Sequence, residues 1–277
     1  MPFIKSVQMR GSDVNIYYEE AGSGTPVVLI HGWPVSHEMW EYQLNVLPDA
    51  GLRCIAYDRR GFGKSDKPGN GYDYDSLAGD LHALIEGLGL QNVVLVGFSM
   101  AGGEVVRYCS KYGCKRLSKV VLVSAVTPYM LKTGDNPEGT PQEMFDEFYQ
   151  MLSDDRPGFL ANFGKGFYGV TLLSQPVSQG ILDWQQHLAL HGSSRATLQC
   201  LRSFSQTDFR ADMAAVTVPT LIIHGDADKT VPIKSSGEKS AQMIPGAVYK
   251  VYEGEPHGLF VTSKDRLNND LIEFIAS

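Results

Sequence analysis

Five short, unbroken apolar runs constrain the fold of this chain more than any other feature. They are Val27-Val28-Leu29-Ile30, Arg53-Cys54-Ile55-Ala56-Tyr57, Val93-Val94-Leu95-Val96, Val120-Val121-Leu122-Val123 and Thr220-Leu221-Ile222-Ile223. A strand with one wet face alternates apolar with polar residues; a continuous run suits a strand buried on both faces of a parallel sheet. A sixth run, Val248–Tyr252, is mixed and suits an edge. Helical patterns at His37–Leu47, Ser76–Leu88, Gly102–Tyr112, Glu238–Ile244 and Lys264–Ile275 are interspersed with these runs. Strand alternating with helix predicts an α/β fold, a mostly parallel sheet covered by helices on both faces. At the start, Ile4–Met9, a Gly11-Ser12-Asp13 turn and Val14–Tyr18 read as a hairpin.

The alternation breaks once. Residues 128–218 carry helical patterns without a convincing strand, and open with the turn-rich stretch Lys132–Pro141. An all-helical insertion after the fourth run, over the carboxyl ends of parallel strands, would form a lid. The 277 residues then read as one domain, 1–277, with a core of 1–127 and 219–277 and a helical cap of about 128–218.

Charge and cysteine usage narrow the partners. The formal net charge of −7 argues against nucleic acid or an anionic membrane surface, which would want a basic face. The start of the chain lacks a basic stretch followed by an apolar one, and no apolar run approaches the roughly 18 residues of a membrane helix. Cys54, Cys109, Cys114 and Cys200 are scattered without paired spacing, which suits reduced thiols in the cytoplasm. A soluble cytoplasmic protein is expected.

The chemistry begins at Val96-Gly97-Phe98-Ser99-Met100-Ala101-Gly102. A buried strand ends, Ser99 follows, and a helix starts at once, which is the context of a nucleophile elbow. The usual pattern is G-x-S-x-G; here Ala101 holds the last position, and one methyl can be accommodated. A serine that merely caps a helix is the plainer alternative, but partners for catalysis stand downstream. A serine hydroxyl needs an imidazole to take its proton, and the imidazole needs a carboxylate to fix its tautomer. His257, in Glu255-Pro256-His257-Gly258, follows the last strand, on the same face of the sheet as Ser99. For the acid, Asp226 and Asp228 both lie just beyond a buried strand, and spacing does not separate them.

The remaining histidines read as structural. His31 and His224 each end a strand as His-Gly, His37 and His82 fall on surface helical patterns, and His187 and His191 lack a third metal ligand. No metal site is expected. An oxyanion needs two donors: the Met100 N–H after the nucleophile, and the Trp33 N–H in His31-Gly32-Trp33-Pro34. Pro34 constrains Trp33, whose carbonyl would accept a hydrogen bond from a bound peroxide or water. In the lid, Phe159, Phe163 and Phe167 share a helix face, and Phe163 and Phe167 are expected to line a small apolar acyl pocket beside Pro34. Gly63-Lys64-Ser65 looks like the end of a phosphate-binding loop, but Asp58 stands where its first glycine belongs.

These motifs together are specific. His31-Gly32-Trp33-Pro34, Asp58-Arg59-Arg60-Gly61-Phe62-Gly63, Gly97-Phe98-Ser99-Met100, Asn136-Pro137-Glu138-Gly139, Thr207-Asp208-Phe209-Arg210 and Pro256-His257-Gly258 resemble the bacterial cofactor-free haloperoxidases. That group, also called perhydrolases, includes aryl esterases and a γ-lactamase. The resemblance spans nearly the whole chain and implies the α/β-hydrolase fold. It implies a triad of Ser99, Asp228 and His257, with Asp228 rather than Asp226 as the acid, and oxyanion donors at Trp33 and Met100. Ala101 departs from the glycine most members carry. The resemblance also implies ester hydrolysis and perhydrolysis of small esters or acids without a cofactor. Hydrogen peroxide resolves the acyl-enzyme, and the released peracid oxidises halide. Members often form homo-oligomers. A γ-lactamase or amidase, and a non-catalytic receptor on the same fold, are the alternative readings.

Overall fold

The computed structural model describes residues 2–7 and 13–277. Among them one sheet contains β1 (Phe3–Ser6), β2 (Val14–Ala21), β3 (Thr25–Ile30), β4 (Leu52–Tyr57), β5 (Val93–Phe98), β6 (Leu117–Val123), β7 (Thr220–Gly225) and β8 (Val248–Tyr252). Their spatial order is β1-β2-β4-β3-β5-β6-β7-β8. Every pairing from β4 to β8 is parallel, and β2 joins β4 antiparallel. β8 pairs only with β7, the edge position its mixed composition suggested. β1 pairs antiparallel with β2; the expected Gly11-Ser12 turn and the residues from Gln8 lie outside the described residues.

The helices are α1 (Glu41–Leu44), α2 (Tyr74–Gly87), α3 (Met100–Tyr112), α4 (Gln142–Asp154), α5 (Arg156–Phe167) and α6 (Gln179–His191). They continue with α7 (Ser194–Gln206), α8 (Arg210–Met213), α9 (Gly237–Met243), α10 (Leu259–Thr262) and α11 (Lys264–Ala276). Successive strand residues point to opposite faces, so each apolar run divides between two cores. Val28, Ile30, Ile55, Leu95, Leu122 and Ile222 join Leu77, Leu81 and Ile85 of α2 and Val105 of α3 in one core. Val27, Leu29, Val94, Val96, Val121 and Ile223 join Trp40 and, from α11, Leu267 and Leu271 in the other. That is why the runs do not alternate: both faces are dry. Each such Val, Leu or Ile side chain contributes about 1.5–3 kcal/mol on burial.

The helix expected over His37–Leu47 is instead three short pieces: 3-10 turns at His37–Trp40 and Leu47–Ala50 with α1 between them. Pro48 lacks an N–H and disfavours helical backbone at the residue before it, and Gly51 at φ 78° ends the segment. Between β6 and β7 run α4 to α8, with no strand among them; its opening loop makes only isolated bridges, Leu131 with Thr140 and Thr133 with Asn136. No helix among the described residues is long and apolar enough to cross a membrane.

Candidate active site

Ser99 stands between β5 and α3 with φ 56° and ψ −118°, a conformation that costs a non-glycine residue free energy and is held by its surroundings. The Ser99 N–H donates to the Val123 carbonyl at 2.8 Å, and its carbonyl accepts from Gly102 at 3.0 Å and Val126 at 3.1 Å. Glycine is required on the strand side, because a Cβ on Gly97 would sit 2.9 Å from the Ala101 carbonyl oxygen. Past the elbow, a Cβ on Gly102 would meet that of Ala125 at 2.4 Å. The Ala101 methyl between them is fully buried in the core, so the departure from glycine is absorbed by packing.

His257 and Asp228 complete a line of hydrogen bonds. His257 Nε2 lies 2.9 Å from Ser99 Oγ, and His257 Nδ1 lies 2.6 Å from Asp228 Oδ2. A carboxylate can only accept, so the imidazole hydrogen sits on Nδ1 and Nε2 is left as the acceptor facing the hydroxyl. Asp228 Oδ1 accepts the N–H groups of Thr230 at 2.9 Å and Val231 at 2.8 Å. Burial pushes the Asp228 carboxyl up, but the neighbouring His257 and the hydrogen bonds from His224 and His257 outweigh it and hold it well below the ordinary range. All three side chains are nearly inaccessible: Ser99 is 6% exposed, Asp228 5% and His257 1%.

The same geometry separates the two aspartates that spacing left open. Asp226 is exposed, and its carboxylate accepts the Gly254 N–H at 2.6 Å, which ties the loop after β7 to the turn after β8. Asp228 alone reaches His257. The His257 loop is tied down by the Gly258 N–H donating to Phe167 O at the end of α5. A Cβ on Gly258 would lie 2.3 Å from the Tyr168 ring, so glycine is needed there.

The loop after β3 packs on Ser99 from the other side. A Cβ on Gly32 would lie 2.6 Å from the Phe98 ring and 3.3 Å from Ser99 Cβ. The Trp33 indole N–H donates to the Thr197 carbonyl on α7 at 2.9 Å, and the Trp33–Pro34 peptide is cis. Met100 opens α3, so its N–H belongs to the first turn, where amides lack intrahelical partners.

His31, at the end of β3, and His37, expected on a surface helix, are both buried. His31 is fully buried. It accepts the Arg59 N–H on Nε2 at 2.9 Å and donates from Nδ1 to the Gly32 carbonyl at 2.7 Å. Burial, helped by the Arg59 charge, lowers its pKa to about 3, so it stays neutral and fastens the loop that carries Trp33. His37 is buried too: its ring donates to Asp58 at 2.8 Å, and its backbone N–H donates to the same carboxylate oxygen at 2.8 Å. Asp58 also accepts the Lys64 N–H at 2.7 Å, so the Gly63-Lys64-Ser65 turn wraps a carboxylate where a phosphate loop would leave space. Beneath the loop, Arg59 pairs with Glu104 at 2.9 Å, and the Tyr57 hydroxyl donates to Glu104. Sequence reasoning missed this buried cluster; an arginine in the middle of a motif carries no sign of its burial.

A small chamber of about 30 Å³ opens beside the serine, room for on the order of two water-sized groups. Trp33, Ser99, Phe145, Phe148, Phe163 and His257 are among its walls. A larger chamber of about 530 Å³ adjoins it and shares Phe145, Phe148, Phe163 and Thr230. Phe163 therefore lines both chambers, Phe167 lines the outer one, and Pro34 is buried beside Trp33 without lining either. Among the described residues, Lys229 is the one ionisable side chain on the outer wall. The His187 and His191 rings lie 4.4 Å apart between centroids, tilted by 56°. Among the described residues no group of three or more His, Cys, Asp or Glu side chains stands ready to hold a metal ion.

Residues 25–264 match the family described as alpha/beta hydrolase fold. The chain belongs to that family. A non-heme haloperoxidase of Rhodococcus erythropolis is similar to this α/β-hydrolase over all of both chains, at 42% identity. A bifunctional esterase/perhydrolase of Acinetobacter calcoaceticus is 39% identical over 95% of this chain and 97% of its own. Among solved structures, a bromoperoxidase from Bacillus anthracis superposes with a TM-score of 0.95 at 46% identity, over 99% of each chain.

Proposed function

We propose that this α/β-hydrolase is a serine esterase and perhydrolase that forms an acyl-enzyme on Ser99. The observation that carries the reading is the unbroken line from Ser99 Oγ through His257 to Asp228, at 2.9 and 2.6 Å. His257 Nε2 takes the serine proton as Oγ attacks the carbonyl carbon of a small ester. The oxyanion settles against the Trp33 and Met100 amides, a contribution on the order of 3 kcal/mol for each such donor. The imidazolium then gives its proton to the departing alcohol. Water or hydrogen peroxide, activated by the same imidazole, cleaves the acyl-enzyme to acid or peracid. A released peracid oxidises halide in solution, which fits the haloperoxidase names of the relatives. α4 to α7 act as the cap over this site, within one domain.

The test is a parallel assay of a short aryl ester, a γ-lactam, and acetate with hydrogen peroxide. Ester turnover together with peracid formation is expected. Turnover of the lactam alone would replace this reading with an amidase.

The small inner chamber should set the acyl length. Phe163→Ala removes a ring shared by both chambers, so turnover of an aryl butyrate relative to the acetate should rise about tenfold. Comparison of kcat/KM for the two esters checks this. An unchanged ratio would move the acyl group elsewhere.

A further inference from the structure

We infer that His224 is a positioning residue of the active site, a second imidazole that donates to the carboxylate behind His257. His224 is the penultimate residue of β7, four residues before Asp228, and is fully buried. Its Nε2 lies 2.9 Å from the Val231 carbonyl oxygen and 3.3 Å from Asp228 Oδ2. Both neighbours only accept, so Nε2 carries the hydrogen and shares it between them. Asp228 Oδ1 accepts the Thr230 and Val231 amides and Oδ2 accepts from His257; His224 Nε2, 3.3 Å from Oδ2, is the fourth donor turned toward it.

The other ring nitrogen makes the histidine hard to explain as packing. His224 Nδ1 is buried with no hydrogen-bond partner, an arrangement proteins avoid because desolvating a polar atom without replacing its bond is unfavourable. The fold makes room for it: a Cβ on Gly237 would stand 2.8 Å from that nitrogen. A leucine would fill the space without a stranded nitrogen. What leucine lacks is the Nε2 hydrogen. That hydrogen holds Asp228 Oδ2 in the plane of the His257 ring and draws off part of its charge. The titratable groups facing Asp228 are His257, from the loop after β8, and His224 itself; Asp226 is turned out to Gly254, and Lys229 is exposed.

This inference rests on His257 acting as the base of the proposed reaction, and its sign follows from that role. Without the His224 donor, Asp228 pulls harder on a protonated His257, which then keeps its proton to higher pH. In His224→Leu, kcat/KM for a neutral aryl acetate should fall about tenfold. Its acid limb should move up by about half a pH unit, a threefold change in the protonation equilibrium. His224→Gln places an amide N–H where Nε2 stands and should restore both. His224→Asn, whose amide falls short of Asp228, should not, and the Gln/Asn pair carries the test if the leucine variant does not fold.

A proton NMR measurement keeps the inference separate from the proposed reaction. The His257 Nδ1 hydrogen, held at a short distance by a carboxylate, should give a far-downfield resonance that shifts in the leucine and asparagine variants and returns in the glutamine variant. If the wild-type protein turned over no ester, the reaction would be wrong while this resonance still read the His224 contact. A limb and a resonance that stay at their wild-type positions in His224→Leu, or equal behaviour of Gln and Asn, would overturn the inference.

Discussion

Ser99→Ala should lower kcat for a short aryl ester by about a millionfold, because removing the nucleophile of a triad disables the whole unit. Peracid formation should fall in parallel, since water and peroxide compete for the same acyl-enzyme. The fold should survive. The side chain is small, the elbow is held by backbone bonds to Val123, Gly102 and Val126, and alanine meets the same φ of 56° with a Cβ no bulkier than that of serine. The midpoint of thermal unfolding should therefore move by only a few degrees, the equivalent of about 1 kcal/mol. Three measurements read the result: ester turnover, peracid formation from acetate, and labelling by a fluorophosphonate probe. Peracid formation that persisted after ester turnover was lost would mean that peroxide chemistry happens away from this serine. A variant that kept both activities would remove Ser99 from the mechanism.

How far the sequence reached depends on the length scale of each signal. The unbroken runs around Val28, Ile55, Leu95, Leu122 and Ile222 report burial on two faces, a purely local consequence of packing, and every one of them is a strand of the parallel sheet. Ser99 was legible because the elbow is also local: strand, turn and helix are written within about ten residues. His257 and Asp228 were reached differently. Chain order pointed to a histidine and an acid near the end, but the choice between Asp226 and Asp228 needed the resemblance to a family, since two aspartates two residues apart differ only in direction. In space they part clearly, one to the Gly254 amide and one to His257. The partners of His31, His37 and His224 were not legible, because they lie on other loops, at Arg59, Asp58 and Asp228. Nothing within a window of their own sequence reports those contacts.

Asp228→Asn should cost about 10⁴-fold in kcat while leaving the shape of the site intact. The carboxylate accepts on both oxygens. A carboxamide in its place keeps its oxygen on the Thr230 and Val231 amides and turns its NH₂ toward His257 Nδ1. That nitrogen must then accept, so the imidazole hydrogen moves to Nε2 and points at Ser99. A nitrogen that already carries a hydrogen cannot take the serine proton, and the loss appears in kcat more than in KM. Asp226→Asn is the control: its amide oxygen still accepts the Gly254 N–H, and it should keep ester turnover within about twofold, as expected of a surface change. Stability against pH gives an independent reading. The Asp228 pKa is lowered on folding, so its ionised form contributes stability that is fully present above the ordinary aspartate range near 3.9 and is lost as pH falls toward the depressed native value. Acid unfolding monitored by circular dichroism should accordingly lose part of its dependence on pH in Asp228→Asn and keep it in Asp226→Asn. Equal activity losses at the two positions would mean that the carboxylate acts through the loop, and the tautomer argument would fall.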